Sequence, residues 1–135
     1  MVITTLIYDG ALQCHATHGP SGYITAMDAP TAVGGLARSF SPTDLLGVAL
    51  GGCMAITMGL VAKKYDLDLT GMALSVEKVM SETKPRRIVA LNSVVSVPLP
   101  HNHPQREALE HAAHNCPVHQ SLHPDIAKNI IFVWQ

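Results

Sequence analysis

Thiols are the side chains best placed for chemistry in this sequence, and its three cysteines, Cys14, Cys53 and Cys116, stand far apart. Cys116 comes just before Pro117 at a predicted helix start. A sulfur there meets unpaired N–H groups and the positive end of the helix dipole, both of which stabilise a thiolate. The plainer alternative is a cysteine that only caps a turn. Cys53 lies in Gly51-Gly52-Cys53-Met54, within an apolar helix, where a cysteine is more often a small hydrophobe. Burial alone leaves such a thiol inert, so reactivity requires a cation or polar partner from another segment. Cys14, on a predicted strand, reads as a packed core thiol. An odd number of scattered cysteines suits free thiols in a reducing compartment, so a cytoplasmic location is expected.

Histidine is the second candidate chemistry. His101, His103, His111, His114, His119 and His123 crowd the C-terminal third around Cys116. His111 and His114 share a helix face, and together with Cys116 such residues offer zinc or copper ligands. Their spacing fits no established zinc motif, and loop histidines are common. The expectation is no metal and no cofactor, with a His/Cys metal-binding protein kept as an alternative. Glu77, Lys78, Glu82 and Lys84 read as a solvated strand edge and turn. Met54, Met58, Met72 and Met80 read as core filler.

The elements that must position these groups begin with strands. Val2 to Tyr8 is apolar and β-branched, Asp9-Gly10 signals a hairpin, and Leu12 to His18 alternates behind it. Gly19-Pro20-Ser21-Gly22 turns the chain into a short strand, Tyr23 to Ala26, and Asp28 through Gly35 reads as a loop. Ser41 then caps a long helix, with Pro42 at its first position and Asp44 three after the cap, running to about Tyr65. It is apolar nearly all round, the mark of burial on several sides. Glycine costs roughly 1 kcal/mol in a helix interior. Gly47, Gly51, Gly52 and Gly59 therefore suggest a close backbone neighbour, a second copy of the helix being one candidate. Strands follow over Met72 to Met80 and Arg86 to Leu99, then helices over Gln105 to about His114 and Pro117 to Leu122. Ile130 to Trp134 closes as a strand. This grouping indicates an α+β fold in a single domain spanning 1–135.

Composition narrows the function. Net charge of −1 lacks the concentrated basic face that nucleic-acid binding needs. Met1-Val2-Ile3-Thr4-Thr5 has no basic n-region, and the apolar run Leu45 to Ala62 is broken by four glycines, so neither a secretory signal nor a membrane span is expected. Only 14% of residues are charged while 47% are hydrophobic, which suggests that apolar surface is covered by a second subunit.

Ser41-Pro42-Thr43-Asp44-Leu45-Leu46 followed by Ala49-Leu50-Gly51-Gly52-Cys53 resembles the central-helix signature of the OsmC/Ohr family. Asn115-Cys116-Pro117-Val118-His119 is similar to that family's second motif. Val76-Glu77-Lys78, Pro85-Arg86-Arg87, the Gly22 turn and the Asp28-Ala29-Pro30 loop fall in family order. The resemblance implies an intertwined homodimer, with antiparallel sheets wrapped around two central helices and active sites at the subunit interface. It implies a peroxidatic Cys53 and a resolving Cys116 that reduce organic hydroperoxides through a sulfenic acid and a disulfide. An external thiol or lipoyl protein restores both, in oxidative stress defence. The better-characterised branches carry a Glu ten residues before the helix cysteine, paired with an Arg from the N-terminal strands. Thr43 occupies that position here, Asp44 is the nearby acid, and no Arg precedes Arg38. Thr43, Asp44 and Arg38 are therefore the candidate supporting residues. A non-catalytic member that binds a small ligand or senses redox state is the alternative within the same fold.

Overall fold

The alternating residues ahead of Asp28 fold as an antiparallel meander. A computed structural model describes all residues, Met1–Gln135, and places β1 at Thr4–Gly10, β2 at Gln13–His18 and β3 at Ile24–Asp28, in the order β1-β2-β3. The hairpin turns at Ala11-Leu12, two residues beyond the Asp9-Gly10 signal. Both take the left-handed conformation (φ 50° and 60°) that a two-residue hairpin turn matching the strand twist demands. Gly10, with φ 86°, serves instead at the register shift after Tyr8. Asp28 ends β3 and staples the following loop. Its Oδ2 accepts from the Arg38 backbone N–H at 3.1 Å and from Arg38 Nε at 2.9 Å.

Helix α1 runs Pro42–Lys64, and its start is the reciprocal cap expected from sequence. The Ser41 N–H donates to Asp44 Oδ2 at 2.9 Å, and the Asp44 N–H donates to Ser41 Oγ at 3.1 Å. The chain divides into two compact units, Met1–Leu46 and Gly47–Gln135. The first holds the meander, its loop and the first turn of α1.

In the second unit α1 lies against a three-stranded sheet of order β4-β5-β6, with β4 at Ala73–Met80, β5 at Ile88–Val97 and β6 at Ile130–Trp134. β4 and β5 are antiparallel, but β6 joins β5 in parallel, so this sheet is mixed rather than wholly antiparallel. The reason lies in the connection. Between β5 and β6 the chain makes α2 (Arg106–His114) and α3 (Pro117–Ser121), a crossover long enough for a parallel return. Trp134 Nε1 donates to Glu110 Oε1 at 2.9 Å, fastening α2 to the last strand.

Only one face of α1 is buried, through Gly47, Leu50, Gly51, Met54, Met58 and Ala62. The all-round apolarity therefore does not mean all-round burial within this chain: Ile56 is 69% exposed and Leu60 60%. The helix is long and apolar enough to cross a bilayer by length and composition, yet its buried face packs as the core of a folded unit. The glycines divide the same way. A Cβ on Gly51 would lie 3.2 Å from Val76 Cγ2, and one on Gly47 would lie 3.5 Å from Val76 Cγ1, whereas Gly52 and Gly59 face open space. Replacing Gly51 with Val would force α1 off β4, and overpacking of this kind costs about 1–3 kcal/mol. Urea denaturation of Gly51→Val should show that loss; unchanged stability would mean the helix does not need this close approach.

Candidate functional site

Two elements distant in sequence deliver the two thiols. Cys53 lies one turn beyond Ala49 on α1, on the half-buried border between the face against β4 and the open face. Thr57 Oγ1 donates to the Cys53 carbonyl at 2.7 Å, tying that turn to the next. Cys116 occupies the N-cap of α3, with extended backbone (φ −65°, ψ 148°) and Pro117 at the first helical position. Its sulfur accepts from the His119 N–H at 3.4 Å, as a capping group does.

Cys53 and Cys116 are close enough for each thiol to act on the other's protonation. The electrostatics then depart from the sequence reading. An N-cap was expected to favour the Cys116 thiolate, but the residue is fully buried. Burial pushes the Cys116 thiol up, and the neighbouring Cys53 pushes it further. The N–H groups of His119 and Val118 pull in the opposite direction without prevailing. Cys116 is thus held as a protonated thiol beside a more exposed partner, a geometry suited to accepting a bond rather than starting an attack.

The other sequence candidates hold local structure. Asp44 completes the α1 cap, and Thr43 Oγ1 lies 3.1 Å from Ser41 Oγ in the same turn. Arg38 pairs with the buried Asp28, and its guanidinium holds that carboxyl below the ordinary carboxylate range. Most C-terminal histidines have local partners. Arg106 Nη1 bonds His101 Nε2 at 2.7 Å, the Gln105 N–H donates to His103 Nδ1, and the Asp125 N–H donates to His123 Nδ1. No three His, Cys, Asp or Glu side chains converge on one point in the chain.

Cys14 is the residue that the sequence reading undervalued. It is half-buried and lines two adjoining hollows of about 190 Å³ each, shared with Gln13, Met27 and Asp28. The alternating strand pattern gave no signal for it, because the hollows form where the loop after β3 folds back over the meander.

The family described as OsmC-like protein matches residues 35–130, most of the chain. The chain belongs to the OsmC-like protein family. Among solved structures, a Psychrobacter arcticus 273-4 protein described as an osmotic stress induced and detoxification response protein is 32% identical, with TM-score 0.92 over 98% of this chain and 96% of that one. The organic hydroperoxide resistance protein OsmC of Legionella pneumophila shares the fold at 16% identity, with TM-score 0.78 over 98% and 96% of the two chains. A Vibrio cholerae organic hydroperoxide resistance protein, with captopril bound in one of its active sites, shares it at 15% identity, with TM-score 0.77 over 98% and 90%. No curated protein matches the chain in sequence.

Burial orders the thiols by reactivity. In native protein near neutral pH, iodoacetamide should modify Cys53 and Cys14 well before Cys116, as read by peptide mass spectrometry. Alkylation of Cys116 first would contradict the buried-thiol assignment.

Proposed function

We propose that this OsmC-like protein is a thiol-dependent peroxide reductase in which Cys53 attacks and Cys116 resolves, working as an intertwined homodimer in oxidative stress defence. The single observation that carries the reading is that two thiols, one half-buried and one buried, neighbour each other closely enough to interact. The Cys53 thiolate attacks the terminal oxygen of a hydroperoxide. An S–O bond forms, the O–O bond breaks, and the alkoxide leaves and takes a proton, yielding Cys53 sulfenic acid and an alcohol. Cys116 then attacks the sulfenic sulfur, the S–S bond forms, and the hydroxyl leaves as water. An external thiol or lipoyl dithiol reduces the disulfide.

Organic hydroperoxides are the substrate class favoured by the apolar surroundings of Cys53 and by the names of the Legionella and Vibrio relatives. Homodimerisation is supported by the open face of α1, where Gly52 and Gly59 leave room beside Ile56 and Leu60. It is also supported by β1, where Leu6, Ile7 and Tyr8 are all more than half exposed. Such surface is larger than a small monomer ordinarily leaves uncovered. Asp44 and Thr43 act through the helix start and Arg38 through the loop before it, as supporting rather than reacting groups.

With dithiothreitol or a lipoyl dithiol as reductant, wild-type protein should consume cumene hydroperoxide and Cys53→Ser should lose that activity. Cys116→Ser should leave a sulfenic acid on Cys53 that dimedone traps. Wild-type protein that oxidises once and never turns over would be a redox-sensing member of the fold instead, and the peroxidase reading would fall.

A further inference from the structure

The two hollows beside Cys14 play no part in the thiol cycle. Both lie within Met1–Leu46, and each encloses about 190 Å³. One is apolar, walled by Tyr8, Leu12, Met27 and Pro42. The other carries the polar groups of Asp9, Gln13, Asp28, Arg38 and Ser39. Cys14, Met27 and Asp28 line both. Hollows of this size fall below the roughly 300–1,000 Å³ of sites for drug-sized ligands, so an occupant must be small.

Three charged side chains face the polar hollow, and two of them are only partly used. Asp9 is engaged, since both of its oxygens lie 2.9 Å from His15 Nδ1. Asp28 is 2% exposed, and only its Oδ2 is served, by the Arg38 backbone N–H and Nε. Its buried Oδ1 has no hydrogen-bond partner. A buried polar atom in that state calls for an explanation, because desolvation without a donor is unfavourable. The carboxyl is nevertheless kept ionised. The Arg38 side chain holds it below the ordinary carboxylate range, and the Leu36 N–H, short of a hydrogen bond, pulls the same way. Arg38 is itself 54% exposed, and Nε is its one bonded guanidinium nitrogen. Its two Nη groups remain as a planar fork of the kind that grips a carboxylate.

We infer that this hollow binds a small zwitterion, an α-amino acid with a short apolar side chain. Its ammonium donates to Asp28 Oδ1, its carboxylate accepts from the Arg38 Nη groups, and its side chain enters the apolar hollow against Leu12 and Met27. A neutral apolar molecule leaves both charged groups unsatisfied, and a simple amine or acid satisfies one of the two. An amino acid offers both charges from a single carbon, matching a carboxylate and a guanidinium that are themselves bonded 2.9 Å apart. The site uses neither Cys53 nor Cys116, so it stands or falls apart from the peroxide cycle.

Cys14 is the reporter, because an occupant of either hollow shields it. Alkylation by N-ethylmaleimide is followed at Cys14 and Cys53 by peptide mass spectrometry, near neutral pH and across a titration of L-leucine. Isopentylamine and isocaproate, which lack its carboxylate and its ammonium in turn, are the matched controls. L-Leucine should slow Cys14 and leave Cys53 unchanged. Each control should bind about two- to fivefold more weakly, the value of one partly exposed ion pair. Arg38→Lys keeps a cation beside Asp28 but loses the fork, so it should weaken leucine and leave the amine as it was. Asp28→Asn should weaken leucine and the amine together; if it loosens the loop instead, seen as a lowered Tm, Arg38→Lys decides alone. No protection by leucine, equal protection by all three compounds, or leucine protection unchanged in Arg38→Lys would overturn the inference.

Discussion

The distance between α1 and β4 sets the geometry on which the thiol pair depends. Gly47 and Gly51 present no side chain to Val76, and the 3.2 Å that a Cβ on Gly51 would leave shows how little slack there is. Cys53 is two residues further along the same turn, so the depth at which the helix sits fixes where its sulfur can reach. Leu50, Met54 and Met58 fill the space on either side, and all three are fully buried. A helix lifted by one methyl group would carry Cys53 away from Cys116, whose own position is set by α2 and the Cys-Pro cap.

Within that frame two opposing effects act on Cys116. The capping N–H groups favour a negative sulfur, and burial disfavours it; burial is the larger. The outcome gives two chemically identical residues different surroundings. Cys53 is the more accessible of the two, and Cys116 is kept as a buried thiol beside it. In the proposed cycle, deep burial would make Cys116 the leaving sulfur rather than the entry point for a reductant.

Much of this was legible in the sequence, because local signals determined it. The Ser41–Asp44 cap, the Cys116-Pro117 helix start and the α+β order follow from residue types at fixed spacings, and the structure has them all. What the sequence did not reveal depends on tertiary placement. Ala11 and Leu12 make the hairpin turn although neither is a residue that favours positive φ, because the strand pairing on both sides dictates it. β6 pairs in parallel because of where α2 and α3 return the chain, a property of the crossover and not of Ile130 to Trp134 themselves. Nor can periodicity tell which glycines meet a neighbour: Gly51 does and Gly52 does not, one residue apart. The extent of Cys116 burial, which reverses its expected electrostatics, depends on packing that no local motif encodes.

The central claim is that peroxide oxidises Cys53 and Cys116 into one bond. The most direct measurement is to treat the reduced protein with one equivalent of cumene hydroperoxide, count its free thiols, and map the linkage by peptide mass spectrometry. The account predicts that two of the three thiols disappear per chain, joined as Cys53–Cys116, with Cys14 still free. A linkage through Cys14, or three thiols left intact, would contradict it.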